Sequence, residues 1–328
     1  MKMESRDSLL LIRLKSIGDI VLTLPAVHAV RENFPDAKIT FLTSKENAPL
    51  LRGFRDVDAT VTLDRAALRN GISGAAEIFR LLRRLRAENF SLAVDFQGYG
   101  ETAWLSWWSG APERWGQVYG PGREWLYTRG VRRNEQIHLA DGNLSLLRQC
   151  GLKIGDIRNE FVLPEDALAE ARNFFVEHHL HPARPTLLLQ PFTSSPQKNW
   201  PLENYLALAR HFQSRGAQII FSGGPADRVA LEPARTAGFV VSAGVPLLVS
   251  AGLAKLSTLT VGGDTGLLHL AVATGKRVLM LMGAIGRTYP FQHPDWALTP
   301  PAGIRVSEIP IETVIEHCAR ICNELKNR

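Results

Sequence analysis

The sequence predicts an α/β protein of two domains, each organised on a parallel sheet. Three observations lead there. The chain has 328 residues, too many for one ordinary core and suited to two domains of about 150 each. Short apolar runs alternate with amphipathic stretches in two series, separated by the less regular segment 159–184 with its Pro164 and Pro182. The segment 259–272, LTVGGDTGLLHLAV, reads as an apolar strand, a glycine pair and a capped helix. The expected division is 1–165, 166–310 and a last helix over 311–328.

In the first series, residues 8–14 (SLLLIRL) form a buried strand, and KSIGD follows as a strand-to-helix turn. Asp19 falls near the start of a helix running to about Phe34. Pro25 suits a first turn, so 18–22 is loop or irregular helix. Strands follow at 38–43 and 59–63. A helix over 72–87 carries Arg80, Arg83, Arg84 and Arg86 beside Phe79, Leu81, Leu82 and Leu85. The strand 91–96 ends in DFQG, and a short helix over 102–109 holds Trp104, Trp107 and Trp108, read as a buried face with an interfacial contact as the alternative.

The second series opens with the strand 186–190, the helix 202–215 and the strand 218–221. SGGPADR then starts a helix, and 238–241 and 246–254 are a strand and a helix. After the strand 259–261, Asp264 and Thr265 stand at a helix start. Leu267, Leu270, Ala271 and Thr274 make its buried face, and Gly275 closes it. Residues 277–282 are the next buried strand.

Composition narrows the function classes. Hydrophobic residues make up 45% and charged residues 21%, as in a globular protein. No run of 18 apolar residues is present, and MKMESRDS lacks the apolar core of a signal peptide, so the expected location is cytoplasmic. Cys150, Cys318 and Cys322 are an odd, dispersed set that fits buried thiols in a reducing compartment. The net charge is +6, and residues 1–160 carry 23 Lys and Arg against 19 Asp and Glu, which suits an anionic partner. Neither half has G-x-G-x-x-G after its first strand or G-x-x-x-x-G-K-[ST], against a dinucleotide dehydrogenase or P-loop NTPase. No Asp-x-Asp loop or Cys/His spacing suggests a metal, and no cofactor is expected.

Candidate chemistry collects at the strand ends, where ligands bind in open α/β sheets. Asp19 is either a helix-capping carboxylate or a base beside Gly18. Lys198 is either a solvated loop lysine or a point charge for a diphosphate, with Thr193, Ser194 and loop amides as hydrogen-bonding partners. Gly223 and Gly224 allow close backbone approach, while Asp227 holds ribose hydroxyls or complements a helix dipole. Arg65, Arg69 and Arg123 offer guanidinium forks for carboxylates or phosphates; each alone also reads as a surface residue.

The letters are more specific than the pattern. GGDTGLLHLA resembles the D-[ST]-G-x-x-H-x-A signature of glycosyltransferase family 9, the lipopolysaccharide heptosyltransferases. SIGDIVLTLP (16–25), DFQG (95–98) and KNWP (198–201) support the resemblance in the family's order. It implies the GT-B fold: two Rossmann-like domains with a cleft between them and a C-terminal helix crossing back to the first. It implies an inverting, metal-independent transfer of heptose from ADP-heptose to Kdo or heptose of the lipopolysaccharide inner core. Asp19 is then the general base, and Lys198 balances the leaving diphosphate. Asp264, Thr265 and Gly266 meet phosphates and sugar, with His269 lining the site and Val245 and Leu247 at the base. Gly18, Gln97, Arg65, Arg69 and Arg123 are grouped on the acceptor side, Arg123-Glu124 matching an R-E pair of the family; Asp227 stands where the family usually has glutamate. The partners implied are an ADP-sugar and an anionic lipid-linked oligosaccharide, with peripheral contact at the cytoplasmic face of the inner membrane and no nucleic acid. Two rivals are another nucleotide-sugar enzyme of this fold, such as an epimerase or a transferase of another sugar, and a non-catalytic sugar or nucleic-acid binder. Asp19 and DFQG speak against the epimerase, and the lack of interleaved aromatics and arginines on strands against a nucleic-acid binder.

Overall fold

The computed structural model describes residues 8–69, 71–119, 122–283, 286–301 and 303–326, without the side chains of 69, 71–73 and 326. It divides into two compact units, Met1–Val162 and Leu163–Arg328.

In the first unit the elements run β1 (Ser8–Ile12), α1 (Ile17–Val21), α2 (Leu24–Asn33), β2 (Lys38–Ser44), β3 (Ala59–Leu63) and α3 (Gly71–Ala87). They continue with β4 (Leu92–Asp95), α4 (Gly100–Trp108), β5 (Glu113–Val118), β6 (Arg129–Arg132) and α5 (Leu139–Gln149). The sheet order is β3-β2-β1-β4-β5-β6, and every pair is parallel. Leu9, Leu10, Leu11 and Ile12 are wholly buried, as a central parallel strand covered on both faces requires. The helix expected from Asp19 to Phe34 is two helices. Its break falls at Leu22 and Thr23, and Pro25 sits in the first turn of α2, where its missing N–H removes no helical bond.

The second unit begins with α6 (Glu165–Glu177), β7 (Thr186–Gln190), α7 (Leu202–Gln213), β8 (Gln218–Gly223), α8 (Glu232–Thr236) and β9 (Val240–Ala243). It ends with α9 (Leu247–Leu256), β10 (Leu259–Gly263), α10 (Gly266–Ala273), β11 (Val278–Leu281), β12 (Ala297–Leu298) and α11 (Ile311–Lys326). Its order, β12-β11-β10-β7-β8-β9, repeats that of the first sheet when strands are counted from β7, again all parallel. Each sheet therefore reverses direction of winding between its first and fourth strands, β1 and β4 in one, β7 and β10 in the other.

Several expectations change. The stretch read as irregular contains α6, whose Ala167, Ala171 and Phe175 are buried one turn apart. GGPADR opens only a 3-10 turn, Pro225–Asp227, and the α-helix waits until Glu232. Helix α11 places Val314, Cys318, Ile321 and Cys322 in the core of the second unit, against α7 and β10. Finally, α4 buries Thr102, Ala103, Leu105 and Ser106, so Trp104 and Trp107 lie on the opposite, exposed face. That buried face packs against β4 and β5.

Candidate active site

In the first unit, the two loops at the switch point hold each other. Gln97 is buried, and its Oε1 accepts from the backbone N–H of Leu14 (2.9 Å) and Lys15 (3.2 Å). Asp95 fixes Gln97 in turn: its Oδ1 accepts from the N–H of Gln97 (2.8 Å) and Gly98 (3.0 Å), while the Tyr127 hydroxyl donates to Oδ2 at 2.7 Å. Burial pushes the Asp95 carboxyl up, opposed by these hydrogen bonds, and pushes the Tyr127 phenol up as well, with the Asp95 charge adding to it. Gly98 has φ +73°, and a Cβ there would lie 2.2 Å from the Gln117 carbonyl oxygen, so only glycine fits. Gln97, expected on the acceptor side, thus has its carbonyl end committed to the loop.

This frame positions Asp19 through Arg13, a residue that sequence reading did not single out. The Arg13 guanidinium donates from Nε to the Lys15 carbonyl (3.0 Å) and from Nη1 to the Phe96 carbonyl (2.7 Å), and Nη2 meets Asp19 Oδ2 at 2.8 Å. The Ser16 N–H and hydroxyl also donate to Oδ2, at 3.0 and 3.1 Å, as in a capping box. The Arg13 side chain is 5% exposed and that of Asp19 28%. Burial would raise the Asp19 carboxyl; the Arg13 charge, helped by the Ser16 contacts, outweighs it and holds the group below the usual carboxylate value. Every described contact falls on Oδ2. Oδ1 has no partner among the described residues.

Gly18, half-buried, lies in the same turn of α1. Beyond β3 and β4, Arg65 Nη2 lies 3.7 Å from Glu101 Oε2 in the first turn of α4, and the Arg123 guanidinium lies over the Gly100 backbone. Two of the three predicted arginines therefore meet at the start of α4. The Arg69 side chain lies outside the described residues.

In the second unit, the loop after β7 packs on the glycine pair of β10. A Cβ at Gly262 would meet the Gln190 carbonyl at 2.7 Å, and one at Gly263 would meet Thr193 Cγ2 at 2.6 Å. The glycines admit this loop. The Thr193 N–H donates to Asn199 Oδ1 (2.8 Å), and its hydroxyl donates to the Ser195 carbonyl (2.8 Å). Trp200 pins the loop from below: it is buried, donates from Nε1 to the Ile309 carbonyl (2.8 Å) and packs edge-on against Tyr205. Ser194 is exposed and has no described hydrogen bond.

Lys198, held at the end of this loop, reaches Asp264 Oδ2 with Nζ at 3.0 Å. The Thr288 hydroxyl donates to the same oxygen at 2.9 Å, and His269 Nε2 lies 3.1 Å from Oδ1. Burial would raise Asp264; contact with the His269 ring and then the Lys198 ammonium reverses this and drives the carboxyl far below its ordinary value. Thr265 is the N-cap of α10, accepting from the Leu268 N–H at 3.5 Å, and Gly266 is its first helical residue. The N–H groups of this first turn have no partner within the helix, which favours an anion.

The remaining predicted residues lie along β8 and β9. Asp227 Oδ2 accepts from the Gly224 N–H (2.8 Å), so one oxygen closes its own turn beside Gly223. Val245 and Leu247 are half-buried after β9. The Arg228 guanidinium, absent from the sequence reading, packs on Gly244, where a Cβ would lie 2.7 Å from Nε. Among the described residues no three His, Cys, Asp or Glu side chains gather as a metal-ligand set, and all three cysteines are buried.

Two sheets of order 3-2-1-4-5-6, each with charged loops at its switch point, define a double Rossmann protein. The model of glycosyltransferase family 9 (heptosyltransferase) matches residues 78–297. The chain belongs to that family. It is 24% identical over 286 residues to lipopolysaccharide heptosyltransferase 3 of Escherichia coli K12, covering 83% of this chain and 81% of that protein. Its fold is similar to that of a family 9 glycosyltransferase from Veillonella parvula (TM-score 0.86, 21% identity, 98% of this chain and 99% of that one). It is also similar to the E. coli heptosyltransferase WaaC crystallised with ADP-2-deoxy-2-fluoro heptose (TM-score 0.77, 19% identity, 95% and 99%). The architecture is GT-B.

Proposed function

We propose that this heptosyltransferase moves a heptose from ADP-heptose onto Kdo or heptose in the inner core of lipopolysaccharide, with inversion and without a metal. The names of its relatives support the lipopolysaccharide core as the destination, and the WaaC complex supports an ADP-heptose donor. The observation that carries the mechanism is the division of labour within one carboxylate. Asp19 Oδ2 is clamped by Arg13 and Ser16, while Oδ1 has no partner among the described residues.

Asp19, ionised at neutral pH, takes the acceptor hydroxyl proton on Oδ1. Its low basicity suits a late transfer, after the forming C–O bond has acidified that hydroxyl. The hydroxyl oxygen attacks the anomeric carbon, and the bond from that carbon to the diphosphate oxygen breaks. ADP leaves from the opposite face, its charge met by Lys198 and the first N–H groups of α10. A single displacement needs one base and forms no covalent intermediate. Asp264 holds Lys198 in place; Arg65, Arg69 and Arg123 take the anionic groups of the acceptor. Transfer is tested with ADP-heptose and a Kdo-bearing acceptor. Asp19→Asn is expected to lose ~10²–10⁴ in kcat, and a variant within about tenfold of wild type sinks the assignment.

A further inference from the structure

An exposed apolar feature that the transfer leaves unexplained lies on the first unit. Trp104 and Trp107 of α4 are 39% and 38% exposed, and Trp125, from the 3-10 turn after β5, is 60% exposed. Their rings interlock with Trp108: Trp104 is 5.3 Å from Trp108 and 5.5 Å from Trp125 between centroids, and Trp107 is 5.8 Å from Trp104. Four of the seven tryptophans of the chain thus form one cluster, three of them exposed and Trp108 half-buried. None of the four indole N–H groups donates to a protein acceptor among the described residues. Phe79 of α3, 64% exposed, continues the patch across a groove lined by Phe79, Leu82, Arg83, Arg86 and Trp108.

The rim has a charge. The groove lining contains two guanidinium groups and no carboxylate. Arg86 donates from Nε to the Trp108 carbonyl at 2.8 Å, which ties α3 to the indole cluster, and Arg83 has no described partner. Large apolar rings with unpaired N–H groups, beside arginines, match the depth profile of a lipid leaflet. Indoles settle at the boundary between tails and headgroups, and guanidinium groups meet lipid phosphates. A second copy of this chain fits less well, because a two-fold pairing through the groove would bring Arg83 and Arg86 of both copies together.

We propose that the face formed by Trp104, Trp107, Trp108, Trp125 and Phe79 docks on an anionic phospholipid surface. It adjoins the arginines assigned to the acceptor: α4 starts at Gly100 and Glu101, which meet Arg123 and Arg65, and Trp104 follows one turn later. Docking by this face sets those arginines beside the headgroup layer from which a lipid-anchored oligosaccharide projects. That consequence rests on the acceptor reading above; the docking itself does not.

The test is sedimentation of the full-length protein with vesicles of phosphatidylcholine alone or with about 30 mol% phosphatidylglycerol, with brominated lipids as quenchers of tryptophan. Wild type is expected to partition to the anionic vesicles with quenched fluorescence. The triple variant Trp104→Ser, Trp107→Ser, Trp125→Ser is expected to lose partitioning by tenfold or more on the order of three removed interfacial anchors. Arg83→Glu with Arg86→Glu is expected to lose about fivefold per arginine on anionic vesicles. Both changes lie on the surface, and unaltered circular dichroism and melting confirm the fold. Wild type that binds no vesicle, or a triple variant that binds as wild type does, overturns the proposal. So does a concentration-dependent dimer abolished by the same tryptophan changes, which assigns the face to self-association. Transfer to a water-soluble, delipidated acceptor is expected to be unchanged in the triple variant. Vesicle binding by a wild type that transfers nothing to that acceptor leaves the docking standing and removes the transfer reading instead.

Discussion

Arg13 decides what kind of carboxylate Asp19 is. It is buried, held by two carbonyls, and presents its third edge to Oδ2. In Asp19→Asn the amide still caps α1, and Arg13 keeps its two carbonyl partners, so the fold persists with a loss of about 1–3 kcal/mol. The sign of the pH effect follows from the direction of the shift. The folded-state value is depressed, so the stabilisation is present above the unfolded value of about 3.9 and is lost as pH falls through the folded one. The wild-type advantage in urea unfolding over Asp19→Asn is therefore expected at neutral pH and absent in strong acid. Arg13→Met should act on the same group in the opposite sense. With the positive charge gone, burial is opposed only by the Ser16 contacts, so the carboxyl rises and the acid limb of the kcat/KM profile moves to higher pH. An acid limb that does not move removes Arg13 from the site. On the donor side, Lys198→Ala should lower kcat by ~10²–10³ and weaken ADP binding, read by titration calorimetry, as loss of one charge-stabilising donor does.

At the scale of elements, the turn after β4 carries much of the geometry. Gly98→Ala is expected to cost more than about 2 kcal/mol in urea unfolding, because it combines φ +73° with a Cβ 2.2 Å from the Gln117 oxygen. Gly122→Ala separates the two effects: its φ is +97°, yet nothing lies within 4 Å, so only the conformational part of about 1 kcal/mol remains. Equal losses at the two positions would show that the close approach at Gly98 does not matter. These elements also mark what a sequence discloses. The buried central strands were legible because parallel strands covered on both faces are continuous apolar runs, as in LLLI of β1 and TLLLQ of β7. Strands β5 (ERWGQV) and β6 (RGVR) were not, since the outer positions of the sheet keep polar and glycine residues that break the pattern. Helix α6 hid behind a stripe that includes two alanines. The same limit holds for the site. Asp19 and Asp264 stand beside turn glycines and Lys198 in the compact motif KNWP, whereas Arg13 looks like the polar end of a strand and Thr288 comes from 24 residues beyond Asp264. Tertiary packing alone brings those two in.

For the whole molecule, ADP should raise the melting temperature with chelator present, since a ligand at 100 times its Kd adds ~2.7 kcal/mol. Stabilisation seen only after magnesium or manganese is added would count against the donor site proposed here. Each unit has its own apolar core, one around Leu10, Ile12 and Val61, the other around Leu187, Trp200 and Val261. A fragment spanning 163–328 is accordingly expected to fold and to retain ADP binding, which a heat scan with and without nucleotide reads directly. The repeated strand order has a further consequence. Each sheet builds its edge from the loops after its own first and fourth strands, so under the proposed assignment of acceptor to the first unit and donor to the second, the two choices are inherited separately. A chimera that takes residues 1–162 from a relative with a different acceptor, and keeps 163–328 of this chain, should exchange one preference and leave the other untouched. Specificity in this protein is then modular, and new pairings of sugar and acceptor are reached by recombination at a single junction.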